Sequence, residues 1–452
     1  MVLRKIYGVL FFLFFCGAVF SQEKQLQKAN EALERKAYVE AREICFKVLK
    51  KGLRSAELYE TLGDTYYLSG DFKSAAQWYK VLVGLFSKEV KPEYQDKYAI
   101  SLAKGGDFDK SVKSKPIVKK KSKTVKEENT IKFITLEGKV LTRFVVDTLD
   151  INSENSDYAP IFYKNELIFA SSRNRSGFST FIHEWNNQPF LDLYTTARGN
   201  DKKDIERLKG DINTKFHESS VTFSKDRKTV YFTRNNYSNR KFRRNKDGIV
   251  LLKIYRACYV DGKWKDIEEL PFNSNEYSTA HPALSEDGRF LYFASDMPGS
   301  LGKSDLFAVE IRKDGSFGKP KNLGDAINTS GRETFPYISD KGKLFFASDG
   351  HLGLGGLDIF MATPNQEGVI EVKNLGEPIN SPKDDFTFII NEESNRGYFA
   401  SNRKGGKGDD DIYGFRQVVS FPNTDDHKSK SKLKLERVLE LRQVKEGIIS
   451  LY

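Results

Sequence analysis

The sequence predicts two folded parts: a short α-helical array and, after it, an all-β propeller. Five blades is the favoured count, or six if the tail or residues 133–142 form a degenerate blade. Three observations carry this reading. A five-fold register runs through the second half, a helical period almost free of Gly and Pro fills residues 22–111, and a lysine-rich stretch lies between them. At 452 residues the chain is also too long for one ordinary domain.

The first element, residues 1–21, places Arg4 and Lys5 ahead of an apolar run at 9–20 that ends Val19-Phe20-Ser21-Gln22. A short apolar core behind a positive start and closed by a small residue reads as a secretory signal peptide, too short to span a bilayer. Cleavage after Ser21 would leave Gln22 at the N-terminus. Cys16 raises a lipoprotein alternative, although Leu13-Phe14-Phe15 lacks the small residues a lipidation site prefers. The expected location is therefore the periplasm, the outer membrane or the cell surface. Cleavage would leave only Cys45 and Cys258, in different parts of the chain, which excludes a disulfide framework.

The net charge of +11 is concentrated in KSKPIVKKKSKTVK (113–126) and in the tail after His427. Such runs read as solvated, extended connectors, with contact to an anionic envelope surface as the sharper alternative. Nucleic acid is not an expected partner, because the basic runs lack interleaved aromatics and a recognition fold.

Residues 22–112 carry a repeat. Tyr59, Leu62-Gly63 and Tyr66 are followed by Gly70-Asp71-Phe72, Ala75 and Tyr79. Tyr38 and Ala41 stand in the Phe72 and Ala75 slots one repeat earlier, and Phe108 and Ser111 one repeat later. This matches the tetratricopeptide helix–turn–helix pattern, with Gly63 and Ala75 small where paired helices cross. Such arrays offer a concave groove to a protein or peptide. Residues 113–138 then form the basic linker.

The propeller is expected over 139–416, with a charged tail at 417–452. Its five copies start at Asn152-Ser153, Asn213-Thr214, Asn273-Ser274, Asn328-Thr329 and Asn380-Ser381. Each continues into LIFASSR (167–173), VYFTRN (230–235), LYFASD (291–296), LFFASD (344–349) or GYFASN (397–402). A period of 52 to 61 residues built of short β-rich runs is the signature of propeller blades. In the fourth copy, ETFPYIS (333–339) alternates into a first strand and Asp340-Lys341-Gly342 makes a hairpin. KLFFAS (343–348), residues 358–362 and VIEVKNL (369–375) supply three further strands. The fifth copy has no fourth strand after Phe415, so residues 144–149 are expected to fill the gap and close the ring.

These repeats resemble the TolB-type, WD40-like propeller family. Helical repeats followed by such a propeller look like the front part of the OmpA-related envelope proteins of Bacteroidetes-type bacteria, among them a type IX secretion component. The resemblance covers residues 22–416 and implies a binding or assembly role with envelope proteins as partners. The OmpA-like domain common in that family has no counterpart in the remaining tail, so peptidoglycan is not an expected partner.

Catalytic signatures are weak. Ser285-Glu286-Asp287-Gly288 differs from a sialidase Asp box, there is no G-x-S-x-G elbow, and His183, His217, His281, His351 and His427 are scattered singly. Asp409-Asp410-Asp411 beside glycines is the best calcium candidate and 353–358 a weaker echo. An Asp recurs before the third strand in four copies, however, with Lys253 in the second, which reads as turn capping. No enzyme activity, catalytic residue, metal or cofactor is therefore expected. A carbohydrate-binding or hydrolytic surface propeller is the alternative.

Recognition is expected on the face that gathers the loops after the second strands, at 173–189, 235–247, 296–304, 349–357 and 402–410. The candidate residues there are Arg173, Arg175, Arg240, Lys241, Arg243, Arg244, Asp296, Asp349 and Arg403. The leader gives the first testable outcome. N-terminal mass spectrometry of the exported protein should find Gln22 at or next to its start, and a retained Met1 or a lipidated Cys16 would reject simple cleavage.

Overall fold

A computed structural model describes residues 23–104, 141–173, 188–197, 205–238, 241–365 and 368–420. The leader 1–21, the linker 113–138, the Phe108 and Ser111 slots and the tail beyond Ser420 lie outside the described residues.

The chain forms two compact units. The first contains five helices: α1 over 23–34, α2 (Tyr38–Lys50), α3 (Ala56–Leu68), α4 (Phe72–Leu85) and α5 (Pro92–Lys104). Two starts are capped as their sequence dictates. The Ser55 hydroxyl accepts the Leu58 N–H at 3.2 Å and the Asp71 carboxylate accepts the Ser74 N–H at 3.1 Å, each satisfying a donor that a helix start leaves open. Gly63 allows α3 and α4 to close together, since a Cβ there would sit 2.3 Å from the Tyr79 ring. Tyr79 is fully buried, and its hydroxyl donates to Asp64, which also accepts Tyr94 and Lys97. Burial and the Asp64 charge together push the Tyr79 phenol far above its usual range.

The second unit is a five-bladed β-propeller. Blade 1 is β2 (Asp157–Tyr163), β3 (Glu166–Ser171), β4 (Asp192–Ala197) and β5 (Glu206–Arg207). In blade 2, β6 (Glu218–Phe223), β7 (Thr229–Asn235), β10 (Leu252–Val260) and β11 (Lys263–Glu269) form the sheet, while β8 (Tyr237–Ser238) and β9 (Lys241–Phe242) make a separate small hairpin. Blade 3 is β12 (Thr279–Leu284), β13 (Phe290–Ser295), β14 (Asp305–Glu310) and β15 (Lys321–Asn322). Blade 4 is β16 (Glu333–Ile338), β17 (Leu344–Ser348), β18 (Asp358–Pro364) and β19 (Ile370–Asn374), as its sequence predicts.

Blade 5 combines β20 (Asp385–Asn391), β21 (Arg396–Ser401) and β22 (Asp411–Ser420) with β1 (Leu141–Thr148), which supplies the outer strand. The expected closure is present: β1 pairs antiparallel with β22 from Leu141↔Ser420 to Thr148↔Tyr413. Five blades therefore complete the ring, and the six-bladed alternative falls. Second strands such as β17, buried at every position, fill the core between neighbouring sheets.

The recurring asparagine explains how each sheet ends. In every blade the register between third and outer strands ends one residue away from the third-strand residue that the asparagine binds. The asparagine amide then takes the place of a strand peptide. Asn152 bonds both the N–H and the C=O of Ile412, Asn213 those of Leu193, and Asn273 those of Ile254. Asn328 does the same for Leu306 and Asn380 for Ile359, with all ten distances between 2.7 and 3.1 Å. Leaving such buried peptide groups unpaired costs about 1–3 kcal/mol each.

Removing β1 exposes a long edge on β22 and uncovers Phe415, against which Phe144 packs at 5.6 Å. A chain beginning at residue 151 should therefore melt earlier than the full propeller by roughly 10 °C or more, with a broadened transition. Unchanged cooperative melting by calorimetry would show that closure by β1 is dispensable.

Candidate functional site

Strand order fixes the two faces of the propeller. First-to-second and third-to-outer hairpins emerge on one face, and second-to-third loops and inter-blade crossings on the other, called here the crossing face. Much of the charge on the crossing face is used internally. Asp157, Glu218, Glu333 and Asp385, at the starts of four inner strands, are fully buried, and each accepts both the backbone N–H and the hydroxyl of the Ser or Thr four residues earlier. Thr279 replaces the acid in blade 3 and bonds Asn273 instead.

Three of these acids take an arginine from the end of the second strand. Arg173 meets Asp157 at 2.7 Å, Arg234 meets Glu218 at 2.9 Å and Arg403 meets Asp385 at 2.6 Å. Each guanidinium also lies over two rings of its own blade, as Arg403 does over Phe399 and Tyr413 at 4.8 and 5.1 Å. In blades 3 and 4 the signs reverse. Asp296 accepts the Ser278 N–H at 2.6 Å, and Asp349 accepts the Arg332 backbone N–H and guanidinium at 2.6 and 2.9 Å. Of the candidate residues, Arg173, Arg403, Asp296 and Asp349 thus pin second strands to crossings.

Arg243 and Arg244 stand apart from this framework. Both are exposed, with Lys246, between β9 and β10. Beside them, Phe216 packs on Tyr237 and Phe242 at 4.6 and 3.9 Å, and Phe190 contacts Phe216 and His217. Phe242 is 41% exposed, so this aromatic group reaches the surface next to the basic residues. Arg175, Arg240 and the side chain of Lys241 lie outside the described residues.

The Asp before the third strand caps its loop as its sequence position suggests. Asp305 accepts the N–H groups of Leu301 and Gly302, Asp358 those of Leu354 and Gly355, and Asp411 those of Lys407 and Gly408. Asp192 takes the Arg207 guanidinium at 2.9 Å. No cluster of three metal-ligating side chains occurs among the described residues.

Asp410 differs. Its C=O accepts the Asp157 N–H at 2.8 Å, which ties the last loop to the first blade. Desolvation, then the neighbouring Asp409, Asp384 and Asp411 carboxylates, push its carboxyl up to about 7 against a hydrogen bond from Ser156.

The five inner strands surround a central cavity of about 70 Å³. Each inner strand has a bulge at one residue with positive φ, namely Ala159, Ser220, His281, Phe335 and Thr387. None is glycine, so each bulge is strained. Side chains link these positions across blades. Ser220 Oγ lies 2.8 Å from His281 Nδ1, the His281 ring rests on Phe335 at 3.8 Å, and Phe335 meets Phe386 at 5.1 Å. Sequence reasoning treated His281 as an isolated packing residue. The available signal was the X-Pro step shared by Ala159-Pro160, His281-Pro282 and Phe335-Pro336, which marks one position in three blades. Among the described residues, no carboxylate or cationic side chain lines the cavity.

No family model matches this chain, and no curated protein does. Solved structures match in fold. An endo-arabinase from Bacteroides thetaiotaomicron VPI-5482 is 14% identical over 63% of this chain and 100% of that one, with a TM-score of 0.37. A protein assigned as TolB from Agrobacterium tumefaciens is 15% identical over 62% and 99%, with a TM-score of 0.30. A puromycin hydrolase is 10% identical over 56% of this chain and 51% of its own length, with a TM-score of 0.33. The expectation that the chain is not an enzyme is corrected by this comparison. It rested on weak catalytic signatures, and the solved structures matched include a puromycin hydrolase, an endo-arabinase and an alpha-L-arabinofuranosidase.

Asp410 yields a pH prediction with a definite sign. A carboxyl whose folded pKa exceeds its unfolded value binds its proton more tightly in the native state, so it lowers stability progressively as pH rises from about 4 to about 7. Asp410→Asn should melt with the parent at pH about 4 and above it at pH about 8, the gap opening between these limits. Parallel melting curves at all pH values would show that Asp410 titrates normally.

Proposed function

We propose that this chain is an exported envelope protein that binds a protein partner through the crossing face of its propeller, in the service of outer-membrane or secretion-system assembly. The carrying observation is the connection between β7 and β10. It occupies 236–251, contains its own β8–β9 hairpin and exposes Arg243, Arg244 and Lys246 beside Phe242. Blade 3 makes the same connection with residues 296–304, so ring closure does not demand the extra length. A basic, aromatic-tipped projection on a rigid ring suits an acidic protein surface, with attraction that weakens as salt rises.

The leader at 1–21 and the basic connectors support an envelope location. The close approach of Gly63 to Tyr79 and the burial of Ala75 support reading the helices as tetratricopeptide repeats with a peptide-binding role of their own. The rival reading, a carbohydrate-binding or hydrolytic surface propeller, needs a pair of carboxyl groups facing a glycosidic bond if it cleaves one. The inner-strand acids are fully buried on their own Ser and Thr partners, so this reading would draw on Asp384, Asp409 and Asp410.

Charge reversal at Arg243 and Arg244 should reduce cross-linking to envelope proteins roughly tenfold at low salt and leave the melting temperature nearly unchanged. The difference should shrink as salt is raised. The reading fails if binding survives this change and is lost instead on altering the opposite hairpins at 225–228 and 286–289. Release of sugars from envelope glycans would favour the rival.

A further inference from the structure

We infer that the central cavity is a binding site for a small, uncharged, single-ring aromatic carrying a hydroxyl group. The lining comes from all five inner strands and is mostly apolar: Pro160, Ile161, Val221, Leu284, Ile338 and Ile389 contribute, with Phe335 as an aromatic wall. The space, about 70 Å³, is smaller than a drug-sized pocket, which limits an occupant to a single small ring. An ion entering it would lose its hydration with no opposite charge in the lining to replace it, which restricts the ligand to neutral molecules.

The polar handle is His281. Ser220 Oγ holds Nδ1 at 2.8 Å and Phe335 holds the ring face at 3.8 Å, so the imidazole is fixed in position. Its other nitrogen, Nε2, has no partner among the described residues, and the ring is only partly buried where it borders the cavity. The remaining hydroxyl groups of the lining are otherwise placed: Tyr337 donates to the Ile390 C=O, and Thr222 accepts the Leu284 N–H. Thr387 Oγ1 is buried and unpartnered, a further polar group that a bound hydroxyl could satisfy after a small shift. Desolvation also holds the His281 imidazole well below its usual range, at about 3, so it is neutral at physiological pH and suits a neutral hydroxyl. Backbone strain recurs at this level, because five of the eleven non-glycine positive-φ residues among the described residues line the cavity. Strained positions held by the surrounding structure cluster where proteins clamp ligands.

The chemistry fits a free phenol or the side chain of a tyrosine presented by a peptide. The test uses the full chain with p-cresol as the probe, toluene and 4-methylbenzoate as size-matched controls, and N-acetyl-tyrosinamide as the second source. Methyl NMR should show saturable shifts at Ile161, Val221 and Ile338, with p-cresol bound about five- to tenfold more tightly than toluene and the benzoate not bound. Replacing Ser220 with Ala and His281 with Phe together removes the handle without leaving an unpaired polar group. That variant should keep its toluene affinity and lose the preference for p-cresol, a change that mere structural damage would not produce. Stronger binding of N-acetyl-tyrosinamide than of p-cresol would assign the site to a peptide. The inference is overturned if the folded protein shows no saturable shifts, if toluene or the benzoate binds as well as p-cresol, or if the double variant keeps the preference.

Discussion

Ring closure in this protein rests on one constraint: the third strand of every blade needs a hydrogen-bonding neighbour beyond the point where its outer strand stops. After outer strands as short as Glu206–Arg207 and Lys321–Asn322, Leu208 and Leu323 still donate to the third-strand C=O, and it is the N–H of the same residue that the asparagine oxygen takes up. An asparagine can do this because its side-chain amide carries a donor and an acceptor in the geometry of a peptide. By binding a third strand, the asparagine fixes where the chain leaves one blade for the next. The same arrangement at Asn152 joins the first crossing to Ile412 of the last blade, so β1 and Asn152 close the ring side by side.

The next residue transmits that constraint inward. Ser or Thr after the asparagine presents its N–H and hydroxyl to the acid that begins the following inner strand. Three such acids would be uncompensated buried charges without their arginines. Arg173, Arg234 and Arg403 resolve this by pairing with the acid while spreading over rings of the second and third strands. Desolvation still outweighs the Arg403 charge at Asp385, whose carboxyl is held above the usual carboxylate range. Much of the conspicuous charge on the crossing face is therefore architectural.

Most of the fold is legible because its causes are local. The alternation in ETFPYIS, the Asp-Lys-Gly turn and the repeated Asn-Ser/Thr step each specify their structure within a few residues, as do the Ser55 and Asp71 caps. The missing fourth strand after Phe415 could be inferred by counting. The cavity could not. Its girdle residues Ala159, Ser220, His281, Phe335 and Thr387 share a backbone conformation and no side-chain type, and only the following proline, in three of the five blades, marks them in the letters. The environment of Asp410 depends on Asp384, brought close only by the pairing of β20 with β21 and the loop that follows. Sequence reasoning also placed Arg173 and Arg403 with Arg243 as one recognition set, because charge alone does not reveal whether a buried acid lies beside it.

Blade 2 shows why exceptions to the repeat are informative. Elsewhere the Asp before the third strand either curls its loop back by accepting two N–H groups or pairs with an arginine. The loop of blade 2 is a long excursion with its own hairpin, and Lys253 stands at the Asp position. Its ammonium, only 2% exposed, meets Glu269 at 2.6 Å and Asn275 at 2.9 Å. Asn275 also accepts from Asn236 at 2.8 Å, at the base of the excursion. The loop is thus anchored from the next crossing as well as by its own Asn236–Leu251 and Arg243–Asn236 backbone bonds, without the Asp capping geometry of the loops in blades 3, 4 and 5. A charge reversal at one repeat position, a buried lysine for a buried aspartate, is the local price of a projecting basic and aromatic tip on an otherwise uniform ring.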